Sequence, residues 1–237
     1  MASKKPPRWY FSLRSPYSWF AYRDLVERYP DVADAVEWAP FFEPDPRTEA
    51  ALDAVGARLE VVPMSRAKYF YILQDVRRLA QARGWDVTWP VDRAPHWEVA
   101  HLAYLLAADA GRGREFIDHV YRARWERGLD ISDRGTIGDI ATTMGLDGPR
   151  LADACDDEDV RRRGVECLVA CFKDGLFGVP FFVHGRDKYF GIDRLAPFVA
   201  AVRGGRPQDG ARPLPEPAGV ALLSAPQADT GPAGGCG

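Results

Sequence analysis

RSPYSWFAYRDL, residues 14–25, joins a strand-like segment to a helical pattern, and the fold of the chain is decided at this junction. The preceding residues 9–13, WYFSL, form an aromatic and apolar run that is typical of a buried strand. Ser15 has the side chain of a good helix N-cap, and Pro16 suits the first helical position because the N–H it lacks would have no partner there. The stretch therefore predicts a strand, a short turn and a helix that begins at a serine.

The next segment completes a β-α-β opening. The Tyr29-Pro30 step ends the helix because the residue before a proline disfavours the helical conformation. Residues 36–42, VEWAPFF, predict a second strand, and the EPDP sequence that follows predicts a loop. From about residue 48 to 174 the apolar residues recur at three- and four-residue spacings with glycines after their ends, which predicts a series of helices.

Strands return near the end of the chain. VPFFVHGRDKYFG, from residue 179, predicts a β-hairpin that turns at Gly185, and IDRLAPFVAAVRGG predicts a closing helix. A long helical series between two pairs of strands indicates an inserted helical subdomain rather than a regular doubly wound sheet.

Composition excludes several classes of protein. The chain has 237 residues, 46% of them hydrophobic, and a net charge of −3, so it can bury a core but has no basic field for a phosphate backbone. We therefore expect no nucleic acid and no membrane as partners. No apolar stretch reaches the length of a signal or a membrane span, and four cysteines are too few for a disulfide framework, so we expect a cytoplasmic protein. Cys167 and Cys171 lie one helical turn apart without a matching second pair, so we interpret them as packing residues and predict no metal site.

Five motifs occur in one order along residues 9–203: FSLRSPYSW, KYFYILQDVRRLA, ERGLDISD, GLFGVPFFV and YFGIDRL. Together they resemble the 2-hydroxychromene-2-carboxylate isomerase family and its relatives, the kappa-class glutathione transferases and the disulfide oxidoreductase DsbA. The resemblance implies an α/β fold, a thioredoxin-like (DsbA-like) domain with a large inserted all-helical subdomain. The domain would comprise residues 9–47 and 175–203, with the insertion at 48–174, and the Gly- and Pro-rich residues 204–237 would form a flexible tail.

The resemblance gives the serines at the start of the first helix a chemical meaning. Redox members of this superfamily carry Cys-x-x-Cys there, where the N–H groups and the helix dipole stabilise a thiolate. Here Ser15 and Ser18 stand at the two positions, and a serine hydroxyl cannot cycle through a disulfide. The resemblance implies instead that the Ser15 hydroxyl holds the thiolate of glutathione or another small thiol, as both a catalytic and a cofactor-binding residue.

Further site residues follow from the same resemblance. Val179 and Pro180 match the position of a cis-proline whose neighbouring backbone pairs with glutathione, and Asp193, with the Ile192 backbone, matches the acidic residue that holds the γ-glutamyl end. Lys68 matches a catalytic lysine near the active site.

We predict that Arg14, Tyr17 and Trp89 line the substrate pocket, while a surface or salt-bridge role for Arg14 and a core role for Trp89 stay open. Residues 55–63 lack an asparagine that the family usually has, and Phe190 stands in place of a customary tryptophan, so we predict a substrate of its own for this chain.

The implied activity is cis–trans isomerisation of a conjugated double bond in a small α,β-unsaturated carbonyl substrate, assisted by a thiol, in a homodimer. Three alternatives stay open: a kappa-class-like glutathione transferase, a thiol-independent double-bond isomerase of secondary metabolism, and a non-catalytic thioredoxin-like binding module. Simple structural roles also stay open, with Ser15 as an N-cap only and Asp193 as a cap of the last helix. The basic run Arg161 to Arg163 predicts a solvated, salt-bridged face.

Overall fold

The structure, a computed structural model, describes residues 5–59 and 64–205. Its sheet has the strand order β2-β1-β3-β4. The strands are β1 (Arg8–Phe11), β2 (Glu37–Pro40), β3 (Phe181–His184) and β4 (Asp187–Phe190). β1 pairs with β2 in parallel and with β3 antiparallel, and β3 and β4 form the predicted hairpin.

The helices of the described residues are α1 (Pro16–Arg28), α2 (Pro30–Ala35), α3 (Pro46–Ala54), α4 (Arg66–Arg83), α5 (Glu98–Asp109), α6 (Gly113–Tyr121), α7 (Arg134–Thr143), α8 (Gly148–Ala152), α9 (Glu158–Lys173) and α10 (Leu195–Val202). A π-helical turn follows α6 at Arg122–Glu126, and short 3₁₀ turns lie at Ala154–Asp156 and Ile192–Arg194. The α/β fold with a helical stretch between its two pairs of strands is as predicted. The division into segments at 47, 174 and 203 stays a prediction, and the tail that begins at 204 lies, from residue 206 on, outside the described residues.

Two short helices differ from the prediction: α2 falls where the sequence predicts only a helix end, and α3 begins at the last residue of the predicted EPDP loop, just before the predicted helical series. Each has a proline in its first turn, which fits because an N–H there has no helical partner. The α3 helix is also capped by Asp45, whose carboxylate accepts the Thr48 N–H at 2.8 Å.

The segment after α6 departs from the α-helical period that the sequence predicts for residues 48–174. At Arg122–Glu126 the backbone widens into a π-helical turn, and Ala123, Arg124 and Trp125 are all buried. Such single π-helical turns are a known interruption of α-helices, and the three central residues of this one lie in the core.

The central strand β1 carries the core. Trp9, Tyr10 and Phe11 have no exposed surface, and successive side chains point to opposite faces of the sheet. On one face Trp9 stacks on Phe182, which in turn packs against α10, and on the other Tyr10 donates a hydrogen bond from its hydroxyl to Asp174 at 2.6 Å. No helix of the described ranges is long and apolar enough to cross a membrane.

The basic run in α9 does not form one solvated face, and for Arg161 that prediction is wrong. Arg162 and Arg163 make surface ion pairs, but Arg161 is only 8% exposed. Its guanidinium donates to Glu98 and to Asp45, which lie far away along the chain. The guanidinium is buried because α9 packs against the segments that carry these acidic residues. A charge pattern within one stretch of sequence cannot predict that contact.

Those acidic residues form a cluster with a histidine. The ligand atoms of Asp45, His96 and Glu98 lie within 4.8 Å of one another, a spacing that a metal ion accepts. The Arg161 Nη1 atom donates to both carboxylates, at 3.0 Å and 2.6 Å, so a cation of the protein already occupies the place between them and offsets part of their charge. We therefore interpret the cluster as a buried ion network that joins α9 to the starts of α3 and α5.

Candidate active site

The sheet register brings three segments of the predicted site together. Tyr10 pairs with Phe181, so Pro180 lies beside the end of β1 and the turn at residues 12–15 that follows it. The Val179–Pro180 peptide is cis. Pro180 accepts a hydrogen bond through its carbonyl from the Gly191 N–H at 2.9 Å, and the 3₁₀ turn after Gly191 packs against α1.

Ser15 caps α1 as the sequence predicts. Its hydroxyl oxygen accepts the Ser18 N–H at 3.2 Å, and its own N–H donates to the Ser12 carbonyl at 3.1 Å. The Ser18 hydroxyl accepts the Ser12 N–H at 3.2 Å, which closes the turn on itself. Ser15 and Ser18 are both fully buried. Their hydroxyls therefore lie inside the protein, at the N-terminus of a 13-residue helix whose dipole favours negative charge there.

A pair of charges lies next to Ser15. Arg14 is half-buried and forms an ion pair with Glu43, which follows β2. The Arg14 guanidinium also lies over the Trp97 ring at 5.1 Å, within the range of a cation–π contact. Glu43 is not among the predicted site residues, although an acidic residue just after the end of a strand parallel to β1 is a usable signal.

Ligand-sized space borders this ion pair on two sides. Two cavities, of about 280 Å³ and about 490 Å³, share Glu43 and Pro44 in their walls. Such volumes are close to those of small-molecule sites. The larger one is lined by Glu43, Pro44, Asp45, Pro46, Pro95, His96 and Trp97. A small ligand in either cavity would therefore contact the carboxylate that neutralises Arg14.

Comparison with known proteins gives the family. The family model described as a DSBA-like thioredoxin domain matches residues 8–203, most of the chain. The protein belongs to this family. Its DSBA-like thioredoxin fold confirms the predicted superfamily and the predicted fold class.

Individual relatives of this DSBA-like protein are distant. An uncharacterized protein, YwbO from Bacillus subtilis (strain 168), is 25% identical over 154 residues, which cover 63% of this chain and 72% of YwbO. A solved 2-hydroxychromene-2-carboxylate isomerase aligns with a TM-score of 0.65 and 20% identity over 84% of this chain and 94% of that one. The cytosolic disulfide reductase DsbM from Pseudomonas aeruginosa, solved with GSH, aligns with a TM-score of 0.53 and 15% identity over 84% of this chain and 97% of that one. At these identities the two structures show the shared fold alone.

Helix α4 of the DSBA-like fold lies against the start of α1. Tyr17 is buried, and its hydroxyl donates to Asp75 of α4 at 2.8 Å, with burial and this hydrogen bond raising the pKa of the tyrosine. Lys68 is half-buried in the first turn of α4, four and eight residues before the buried Ile72 and Val76. That spacing puts Lys68 on the face of α4 that packs on the rest of the protein.

The remaining predicted residues lie at the edges of this region. Trp89 is half-buried and makes edge-to-face contacts with Tyr69 of α4 and with Trp125 of the π-helical turn. Asp193 is exposed and pairs with Arg194 at 2.7 Å, and α10 has no side-chain cap, so the interpretation of Asp193 as a helix cap is wrong. Of residues 55–63, the segment without asparagine, positions 60–63 lie outside the described residues.

Proposed function

We propose that this protein is an isomerase that interconverts the cis and trans forms of a conjugated double bond in a small α,β-unsaturated carbonyl compound, assisted by glutathione or a similar small thiol. One observation carries the proposal: two hydrogen-bonded serine hydroxyls, Ser15 and Ser18, stand at the helix terminus where redox members of the fold carry cysteines. The fold shared with an isomerase, and with a disulfide reductase solved with GSH, supports it.

The residues at this end of the sheet fit a glutathione-like thiol by their chemistry. Ser15 offers a hydroxyl at the positive end of a helix dipole, which suits a thiolate. Asp193 offers a carboxylate that is 68% exposed, which suits the ammonium group of a γ-glutamyl end. Because the Ser15 hydroxyl is buried, we expect the side chains that cover it to move when the thiol binds.

The chain supplies binding and charge, and the thiol supplies the nucleophile. When bound, a thiol would supply reversible nucleophilic addition at the β-carbon of the substrate, which lowers the order of the double bond and permits rotation. Ser15 would hold the sulfur in its charged form, and Lys68 and Arg14 would offset the negative charge that develops on the carbonyl oxygen. Neither reactant is oxidised, which agrees with a site that has serines in place of a redox pair.

We expect Ser15→Ala to weaken glutathione binding about tenfold, because the variant loses a hydrogen bond to a charged group. Calorimetric titration of the wild type and the variant measures the change. The control is Asp133→Ala, which removes the N-cap of α7, where Asp133 accepts the Thr136 N–H at 2.7 Å. Both variants should lose about 1 kcal/mol of stability through the cap, but only Ser15→Ala should affect binding. Equal affinity in the wild type and Ser15→Ala would contradict the role of the hydroxyl.

We expect Glu43→Gln to lower the KM for a substrate that carries a carboxylate by about fivefold, because a partly exposed ion pair contributes on the order of 1 kcal/mol. In the wild type Glu43 neutralises Arg14 and repels a second carboxylate. The measurement compares an unsaturated keto acid with its methyl ester, with Glu49→Gln as the control because Glu49 lines the smaller of the two cavities. The same change in KM for acid and ester would show that charge is not involved.

The burial of Ser15 favours a second candidate, a non-catalytic thioredoxin-like binding module in which the hydroxyl only caps α1. Product analysis of a panel of conjugated enones, supplied with glutathione, separates the candidates. An isomerase leaves the substrate mass unchanged, a glutathione transferase adds the mass of the thiol, and a binding module leaves the substrate unaltered.

A further inference from the structure

The turn that precedes Ser15 is held by hydrogen bonds from the helical part of the chain. The Leu13 N–H donates to His101 Nε2 at 2.9 Å, and the Ser12 hydroxyl lies 3.2 Å from the same nitrogen. The Tyr121 hydroxyl donates to the Ser12 carbonyl at 3.1 Å. His101 and Tyr121 have no exposed surface, so these bonds are protected from water.

Arg124 holds the next part of the turn. Its Nε donates to the Arg14 carbonyl at 3.3 Å, while its two terminal nitrogens donate to the Asp92 carboxylate at 2.9 Å and 2.8 Å. Arg124 is 4% exposed and lies in the π-helical turn. The backbone just before Ser15 is thus bonded by three side chains, from α5, from the end of α6 and from the π-helical turn.

The contacts of His101 determine which of its nitrogens carries the proton. Nδ1 lies 2.6 Å from the Trp97 carbonyl, which can only accept, so Nδ1 carries the hydrogen. The Leu13 N–H can only donate, so Nε2 must be without a hydrogen. A proton added at Nε2 would set two N–H groups against each other and break the bond to the turn. Of the charged groups around the ring, Arg14 and Arg124 disfavour that proton and Glu98 favours it.

We propose that His101 is a positioning residue which, through the Leu13 N–H, sets the place of the Ser15 hydroxyl before any thiol binds. The inference rests on the proposed function for its effect on binding. When the hydroxyl is already in place, less conformational entropy is lost on binding. A displacement of about 1 Å is enough to remove much of the contribution of such a group to binding. His101 itself, being fully buried behind the turn, need not contact the ligand.

The test compares three substitutions in α5 by calorimetric titration with glutathione. His101→Leu removes the acceptor at similar volume, His101→Gln keeps an acceptor near Nε2, and Tyr104→Phe removes a hydrogen bond from the same helix to the Trp38 carbonyl. We expect Kd to rise about tenfold or more in His101→Leu, to recover in part in His101→Gln, and to stay at the wild-type value in Tyr104→Phe.

A second measurement, hydrogen exchange at the Leu13 and Ser15 amides, does not depend on a ligand. If the wild type binds no thiol but these amides exchange faster in His101→Leu than in Tyr104→Phe, the positioning role stands and the proposed function fails. If exchange and affinity are the same in these two variants, the positioning role is overturned. Should His101→Leu fail to fold, the nitrogen NMR spectrum of the wild-type ring decides, and a hydrogen on Nε2 instead of Nδ1 would overturn the inference.

Discussion

Arg161→Met should lower the free energy of unfolding by about 3–5 kcal/mol, because removal of one partner leaves a buried charge uncompensated. Arg161 Nη1 donates to Glu98 at 2.6 Å and to Asp45 at 3.0 Å, and Glu98 has no exposed surface. Burial alone would raise the pKa of Glu98, but His96, the Asp45 N–H, Thr48 and the Arg161 charge together hold it below its usual range. Glu98 is therefore ionised at neutral pH and needs the guanidinium.

The neighbouring arginine provides a matched control in the same helix. Arg163 pairs with Asp109 at 2.7 Å on the surface, so Arg163→Met should cost less than about 1 kcal/mol. Urea unfolding measures the loss in both variants, and the comparison is valid if the dependence of the unfolding free energy on urea concentration has the same slope in both. Adding Glu98→Gln to Arg161→Met should recover part of the loss, since it removes the uncompensated charge. Equal losses in Arg161→Met and Arg163→Met would contradict the buried network.

Stability should also fall as the pH is lowered below about 6.5, the ordinary pKa of histidine. Burial lowers the pKa of His101 to about 3, and the charges of Arg14 and Arg124 act in the same direction. Between these two pH values the unfolded chain binds a proton at His101 that the folded protein excludes. The stability is therefore intact above pH 6.5, and its loss through this residue amounts to about 1.4 kcal/mol per pH unit as the pH falls.

Two glutamine variants separate the contributions of His101 and His96, because the two residues change the stability in opposite directions as the pH falls. His101→Gln should flatten the fall in stability on the acid side, because the group that excludes the proton is gone. His96 behaves in the opposite way: the Glu98 carboxylate, 3.8 Å from its Nε2, raises its pKa, so its contribution to stability is fully present below about pH 6.5 and is lost as the pH rises. His96→Gln should therefore remove a loss of stability on the alkaline side of about pH 6.5 and leave the acid loss through His101 unchanged. Urea unfolding between about pH 5 and 8 checks both, and an unchanged slope in His101→Gln would refute the prediction.

Both predictions concern contacts that hold the two sides of the candidate site. Arg161 binds Asp45, two residues after the Glu43 that pairs with Arg14, while His101 binds the turn that leads to Ser15. The helices between the two pairs of strands thus do more than enlarge the core, since their buried polar side chains fix the loops that end β1 and β2.

Local rules were sufficient for most of the element boundaries. A serine and a proline predicted the start of α1 at residues 15–16, and both hydrogen bonding and backbone angles there agree with it. Gly84, after α4, and Gly185, in the hairpin, both have a positive φ, 68° and 65°, which glycine adopts at little cost. Such signals involve residues next to each other in the chain, so the β-α-β opening, the helical series and the returning hairpin could all be predicted without knowledge of the fold.

The contacts between buried polar residues, by contrast, become known only from the packed helices. Arg161 and Glu98 are 63 residues apart in the sequence, and His101 and Leu13 are 88 apart. Neither contact produces a periodic pattern that could be recognised in the sequence. The sequence therefore predicted a solvated Arg161 and gave His101 no part in the site. Burial explains the difference: a charge or an imidazole is stable inside a protein when distant groups satisfy its hydrogen bonds, and those groups come together only when the helices pack.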